Sequence, residues 1–113
     1  MLDPTTSDLR RIRARLGLSY ERIGRLLGVS GRTVERMERL GQTSRRPVVA
    51  ERLAQLAQIV DLGELVFTPD GWRQFLVVPQ PLFDGRPAKQ LLERGELRRV
   101  LAALASDYEG AST

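Results

Sequence analysis

An all-α fold is predicted, on three observations. Apolar residues recur three and four apart along most of the chain, the period of a helix with one buried face. Gly and Ser or Thr punctuate these runs where helices stop and start. No segment alternates with period two for long, and Leu76-Val77-Val78 is too short and runs into Pro79.

The elements follow in order. Ser7 is expected to cap a first helix through Leu9, Ile12 and Leu16, with Gly17 just past its end. Ser19 starts a second with Ile23, Leu26 and Leu27, stopped by Gly28. Ser30 starts a third with Val34, Met37 and Leu40, stopped by Gly41. A polar loop leads to Pro47, which suits the first turn of a long helix through Leu53, Leu56, Ala57, Ile59 and Val60 to Val66. That helix is apolar over much of its circumference, as a central or partner-contacting helix is. Thr68-Pro69-Asp70 caps a fifth helix with Trp72, Phe75 and Leu76, broken by Pro79-Gln80-Pro81. Asp84-Gly85-Arg86-Pro87 is a turn into a sixth helix, Ala88 to Arg94, ended by Gly95. The seventh runs from Glu96 to about Tyr108 with Leu97, Val100, Leu101 and Leu104, leaving a small-residue tail.

The chain has 113 residues, one average domain or two very small ones sharing a core. Only 5% are aromatic, so the core is aliphatic. The absence of Cys and His excludes disulfide scaffolds, zinc fingers, thiol catalysis and Ser-His-Asp triads. The acids Asp61, Glu64, Asp70, Asp84, Glu93 and Glu96 form no recognisable acid–base or metal constellation. The Gly-containing loops lack phosphate-cradling spacing. No enzyme, cofactor or metal is therefore expected. The N-terminal residues lack the basic and apolar regions of a signal peptide. No apolar run approaches the roughly 20 residues of a membrane span. A cytoplasmic, non-membrane location is expected.

The net charge of +4 hides an asymmetry. Residues 1–52 carry twelve Arg against six acids, net +6, and residues 53–113 carry net −2. Seventeen of the eighteen basic residues are Arg, which coding bias can produce, but bias does not produce that split.

Residues 20–39 carry the most specific pattern, that of a helix-turn-helix. Gly24 supplies the small residue where two helices touch, and Gly28 the turn position with positive φ. Ile23, Leu27, Val29, Val34 and Met37 fill the shared core, and Ser30 caps the second helix. The exposed face of that helix would be Gly31, Arg32, Glu35, Arg36 and Arg39, and Ser30, Gly31, Arg32, Arg36 and Arg39 are the candidate DNA contacts on it. Arg32 and Arg36, four apart, could each give two hydrogen bonds to guanine. Gly31 would let the helix N-terminus approach a phosphate. Arg10, Arg11, Arg45 and Arg46 are candidate phosphate contacts, with Glu35 and Glu38 tempering the field. One motif reads few base pairs, so operator binding would need a homodimer. An ordinary helical hairpin, or this fold without DNA binding, fits the same pattern.

The back half carries an ordered set of features. Trp72 sits on one helix, then comes a Pro-interrupted linker. Leu82-Phe83-Asp84-Gly85-Arg86-Pro87, Leu91-Leu92-Glu93-Arg94-Gly95, then Val100, Leu104 and Gly110 follow. Behind a helix-turn-helix of Xre type, this order resembles the toxin-binding domain of the Xre/MbcA/ParS antitoxins, over roughly residues 7–110. It departs from the pattern before Leu82, where Pro79-Gln80-Pro81 replaces an Asn often found there. The resemblance implies a helix-turn-helix domain (1–46), then a long dimerisation helix with a small helical toxin-binding domain (47–113). It implies an antitoxin of a type II toxin–antitoxin system. Its partner would be a RES-domain toxin that degrades NAD⁺, neutralised by occlusion of the active site, with homodimerisation and autorepression of the operon. Candidate toxin-binding residues are Trp72, Arg86, Pro87, Gly95, Tyr108, Gly110, Ala111, Ser112 and Thr113. Trp72 reads equally as core, and the tail equally as a disordered end. The alternative is a stand-alone helix-turn-helix repressor, with residues 48–110 serving for dimerisation.

Overall fold

The computed structural model describes residues 4–41 and 45–111, with side chains for 9–41 and 45–110. These residues form seven α-helices: α1 Pro4–Leu16, α2 Tyr20–Leu27, α3 Gly31–Leu40, α4 Pro47–Val66, α5 Pro69–Val77, α6 Ala88–Glu93 and α7 Leu97–Ala111. A single 3₁₀ turn, Pro81–Phe83, lies between α5 and α6. The described backbone is helical throughout apart from turns and one isolated bridge, Gln80 to Arg86. The all-α expectation holds.

Local chemistry accounts for most helix ends. Ser19, Ser30 and Thr68 sit in extended backbone, and each hydroxyl accepts from the amide three residues on, at 3.2, 3.1 and 3.1 Å. Gly28 (φ 80°) and Gly41 (φ 69°) close α2 and α3 in the left-handed region that a Cβ disfavours. Two ends differ from expectation by more than one residue. α1 starts at Pro4, because a proline's fixed φ suits a first helical turn, and Ser7 lies inside the helix. α7 runs on to Ala111, because no proline follows Tyr108 and one helical Gly costs only about 1 kcal/mol.

The chain divides into two compact units, Met1–Ala57 and Gln58–Thr113. The division falls within α4, whose first residue is Pro47. In the first unit, Leu9, Ile12 and Leu16 of α1 are buried, as are Ile23 and Leu27 of α2, Val34 of α3, and Val49, Leu53 and Leu56 of α4. Each such side chain contributes about 1.5–3 kcal/mol of hydrophobic stabilisation. Arg52 of α4 donates from Nη1 to the Leu26 carbonyl at 3.1 Å, satisfying one of the free carbonyls at the end of α2.

In the second unit the core is formed by Ile59, Val60, Phe83, Leu91, Leu92, Val100 and Leu104, all at most 1% exposed. Beside it lies an aromatic group. Trp72 and Phe75 stack with centroids 5.7 Å apart, Phe67 sits 5.0 Å from Phe75, and Phe83 meets Phe75 edge-on at 6.1 Å. Gly63 of α4 makes room for this group: a Cβ there would lie 2.3 Å from the Trp72 ring.

Candidate functional site

The expected helix-turn-helix is formed by α2, the turn at Gly28 and α3. Gly24 lets the turn fold back on α2, since a Cβ there would lie 2.5 Å from the Val29 carbonyl oxygen. The Gly24 carbonyl accepts from both Gly28 and Val29, at 2.7 and 2.8 Å. Ser30, a candidate DNA contact, has its hydroxyl committed to the Thr33 amide and within 2.9 Å of the Thr33 hydroxyl. Gly31 is half-buried, and a Cβ on it would lie 3.0 Å from the Glu21 amide. Its missing side chain therefore also serves the α2–α3 approach.

Arg32, Arg36 and Arg39 are all exposed on α3. Arg39 lies 3.6 Å from Glu35 one turn back. Arg45 and Arg46 are exposed in the segment that enters α4. Arg10 is largely exposed, and Arg11 is half-buried.

Glu38 behaves differently from the expected solvent-facing acid. Its side chain is only 8% exposed and turns towards α1. Arg13 donates to it through Nε and Nη2 at 3.0 and 3.2 Å, and the Tyr20 hydroxyl donates at 3.2 Å. The Arg13 guanidinium also lies 4.4 Å over the Tyr20 ring. These bonds, above all those from Arg13, hold the Glu38 carboxyl below the usual carboxylate range. One acid thus ties α1, the start of α2 and α3 together, and its charge is spent inside the unit. Sequence reasoning missed this role; the available signal was position, since Glu38 lies four residues after buried Val34 on the same helix face.

The candidate residues of the second unit fall into three settings. Trp72 is 7% exposed and belongs to the aromatic core. Arg86 donates bidentately to Glu96, Nη1 to Oε2 at 2.8 Å and Nη2 to Oε1 at 3.3 Å. It also donates from Nε to the Phe83 carbonyl at 3.2 Å, closing the turn that Asp84 (φ 58°) and Gly85 (φ 81°) make. Pro87 precedes α6, and Gly95 (φ 79°) follows it with open space around its Cα. Tyr108 and Gly110 are exposed near the end of α7. Ala111 is helical in backbone, and Ser112 and Thr113 lie outside the described residues. Among the described residues, no group of three or more acids is placed to hold a metal ion, and no helix is long and apolar enough to cross a membrane.

A helix-turn-helix domain family model matches residues 7–65. The mycobacterial cidal antitoxin MbcA of Mycobacterium tuberculosis is 33% identical over 96 residues, covering 85% of this chain and 84% of the relative. MbcA of Mycobacterium bovis matches to the same extent. The chain belongs to the MbcA antitoxin family. The fold agrees: a chain from the crystal structure of the M. tuberculosis MbcT–MbcA toxin–antitoxin complex superposes with a TM-score of 0.68 at 30% identity. That match covers 96% of this chain and 97% of the other. The MbcA likeness therefore spans both compact units, the helix-turn-helix and the helices that follow it.

Proposed function

We propose that this chain is the antitoxin of a type II toxin–antitoxin pair. It binds a RES-domain, NAD⁺-degrading toxin and neutralises it by covering the active-site cleft. The observation that carries this reading is the likeness to MbcA along nearly the whole chain, including a relative crystallised with its toxin MbcT. The second unit presents the partner surface, and the end of α7, with exposed Tyr108 and Gly110, reaches the toxin. Arg86, Pro87 and Gly95 shape the neighbouring turn, while Trp72 supports the surface from within. The test is co-expression with the product of the adjacent gene. That product alone should arrest growth and deplete NAD⁺, and this chain should co-purify with it and restore both. An antitoxin that elutes alone, or NAD⁺ that stays constant, would sink the reading.

A second activity is favoured by α3. Arg32 and Arg36 project into solvent without an ion pair among the described residues, and Glu38 is turned inward. A homodimer would place two such helices on a two-fold operator and repress the operon, with Arg39, Arg45 and Arg46 on phosphates. Replacing Arg32 and Arg36 by Ala should abolish promoter binding without affecting toxin capture. Binding by the unaltered chain should fall with salt, with a log–log slope of about −0.9 per phosphate neutralised. A stand-alone repressor would give the same DNA result and capture no toxin.

A further inference from the structure

The second unit carries an acidic position that its own side chains leave unanswered. Asp107 of α7 is exposed, and its carboxylate has no hydrogen bond or ion pair among the described residues. Arg99, on the wall of the same depression, directs its Nη2 to the Leu82 carbonyl at 3.1 Å and to Asp84 at 3.0 Å, with Nη1 3.9 Å from Glu96, and makes no pair with Asp107. Asp107 also sits close to the C-terminal end of α7, which has no basic residue in its last turn. A carboxylate there adds to the negative end of the helix dipole, an arrangement that a cation relieves.

Two depressions share Asp107 as a wall. One, of about 470 Å³, is lined by Phe67, Phe75 and Val78. The other, of about 260 Å³, is lined by Leu82, Phe83, Ala102 and Ala103, with Arg99 and Ser106 at its polar edge. Val78 and Leu82 are 49% and 60% exposed on the surface beside them, and Tyr108 is 44% exposed next to Asp107 in sequence. A patch of this kind, two mainly apolar hollows with polar edges sharing one acid whose carboxylate is unpaired, is complementary to a chain segment of the opposite pattern.

We propose that this α5–α7 face docks a segment of the toxin carrying one Arg or Lys between apolar side chains, the cation on Asp107 and the apolar groups in the two depressions. The inference rests on the antitoxin reading above and deepens it by naming the surface and the chemistry of the partner. Isolated exposed acids and apolar side chains are common, but here they converge on one shared wall. The partner's apolar groups would also exclude water from the ion pair, which raises its contribution above that of an exposed pair.

The experiment measures affinity between the full chain and the purified toxin encoded beside it. Asp107→Lys should weaken binding roughly 100-fold or more, as truncating one half of a desolvated charge pair does. Asp107→Asn should fall between that variant and the unaltered chain. A lysine near the C-terminus of α7 favours the helix, so circular dichroism and the urea midpoint should be preserved. Reversing the toxin's surface Arg and Lys residues to Glu, one at a time, should reveal a single position that restores binding to Asp107→Lys. Leu82→Asp should weaken binding by itself. The proposal is overturned if Asp107→Lys binds like the unaltered chain, or if no reversal restores it. It is also overturned if Asp107→Lys changes the oligomeric state of the antitoxin alone, which would assign the face to a second copy. Failure of the unaltered chain to bind the toxin removes the antitoxin reading itself, and is a different result from binding that ignores Asp107.

Discussion

Each compact unit depends on a helical glycine where another group comes too close for a side chain, and the two glycines differ in what they meet. Gly24 faces backbone: the Val29 carbonyl oxygen would lie 2.5 Å from its Cβ, and the Ser30 carbonyl carbon 3.0 Å. Gly63 faces a side chain, the Trp72 ring at 2.3 Å. Backbone fixed by a turn has few ways to move, whereas a ring can tilt at the expense of its neighbours. The first unit is therefore organised by a turn whose chemistry is local. The second is organised by aromatic packing whose partners come from α4, α5 and the turn after α5.

The sharpest way to break this comparison is Gly24→Ala. We expect a loss of about 3 kcal/mol in the urea unfolding free energy, at the upper end for overpacking, because the turn cannot retreat. An unchanged midpoint would mean that the α2–α3 turn is softer than its geometry implies. Gly63→Ala should cost less, about 2 kcal/mol, since the Trp72 ring shifts and helix propensity returns part of the loss. Trp72 is the sole tryptophan, so its fluorescence emission should move with this substitution and stay fixed with Gly24→Ala.

The two Arg–Glu pairs extend the contrast. Glu38 is nearly buried and is bonded by Arg13 and Tyr20, whereas the Glu96 side chain is 34% exposed beside Arg86. Glu38→Gln should cost about 1.5 kcal/mol at neutral pH, the low end for hydrogen bonds to a charged group. Both carboxyls are held below the usual carboxylate range, each mainly by its arginine's hydrogen bonds. A depressed folded-state value gives stability that is complete above the ordinary range, near pH 4.3, and lost as pH falls through the folded value. The acid limb of a urea-midpoint profile should flatten in Glu38→Gln. Glu96→Gln should have the smaller effect, and added salt should diminish it because solvent screens that pair. Equal acid limbs for the two variants would erase the distinction.

Part of the candidate surface is legible in the sequence for the same reason that the first unit is. The exposed row Arg32, Arg36 and Arg39 follows from helical period once Val34 and Met37 are assigned to the core, and all three are exposed. Trp72 was not legible, because an aromatic residue on a short helix fits a core or a partner surface equally until its neighbours are known. Arg86, a candidate toxin contact by the resemblance, is closed onto Glu96, ten residues away, a pairing that its place in the turn does not announce. Asp107 looked unremarkable in sequence, and its interest comes from the two depressions that only folding creates.

By itself the sequence determined the helices and most of their ends, the turn of the helix-turn-helix and the likeness to an antitoxin family. Caps, left-handed glycines and helical period are decided by residues within one turn of each other, so they survive without tertiary context. Only the tertiary structure decided that Glu38 faces inward, that Gly63 yields space to Trp72, and that Asp107 lines two neighbouring hollows. Each of these depends on which residues distant along the chain arrive at the same place, and burial and pairing are properties of that meeting rather than of any one segment.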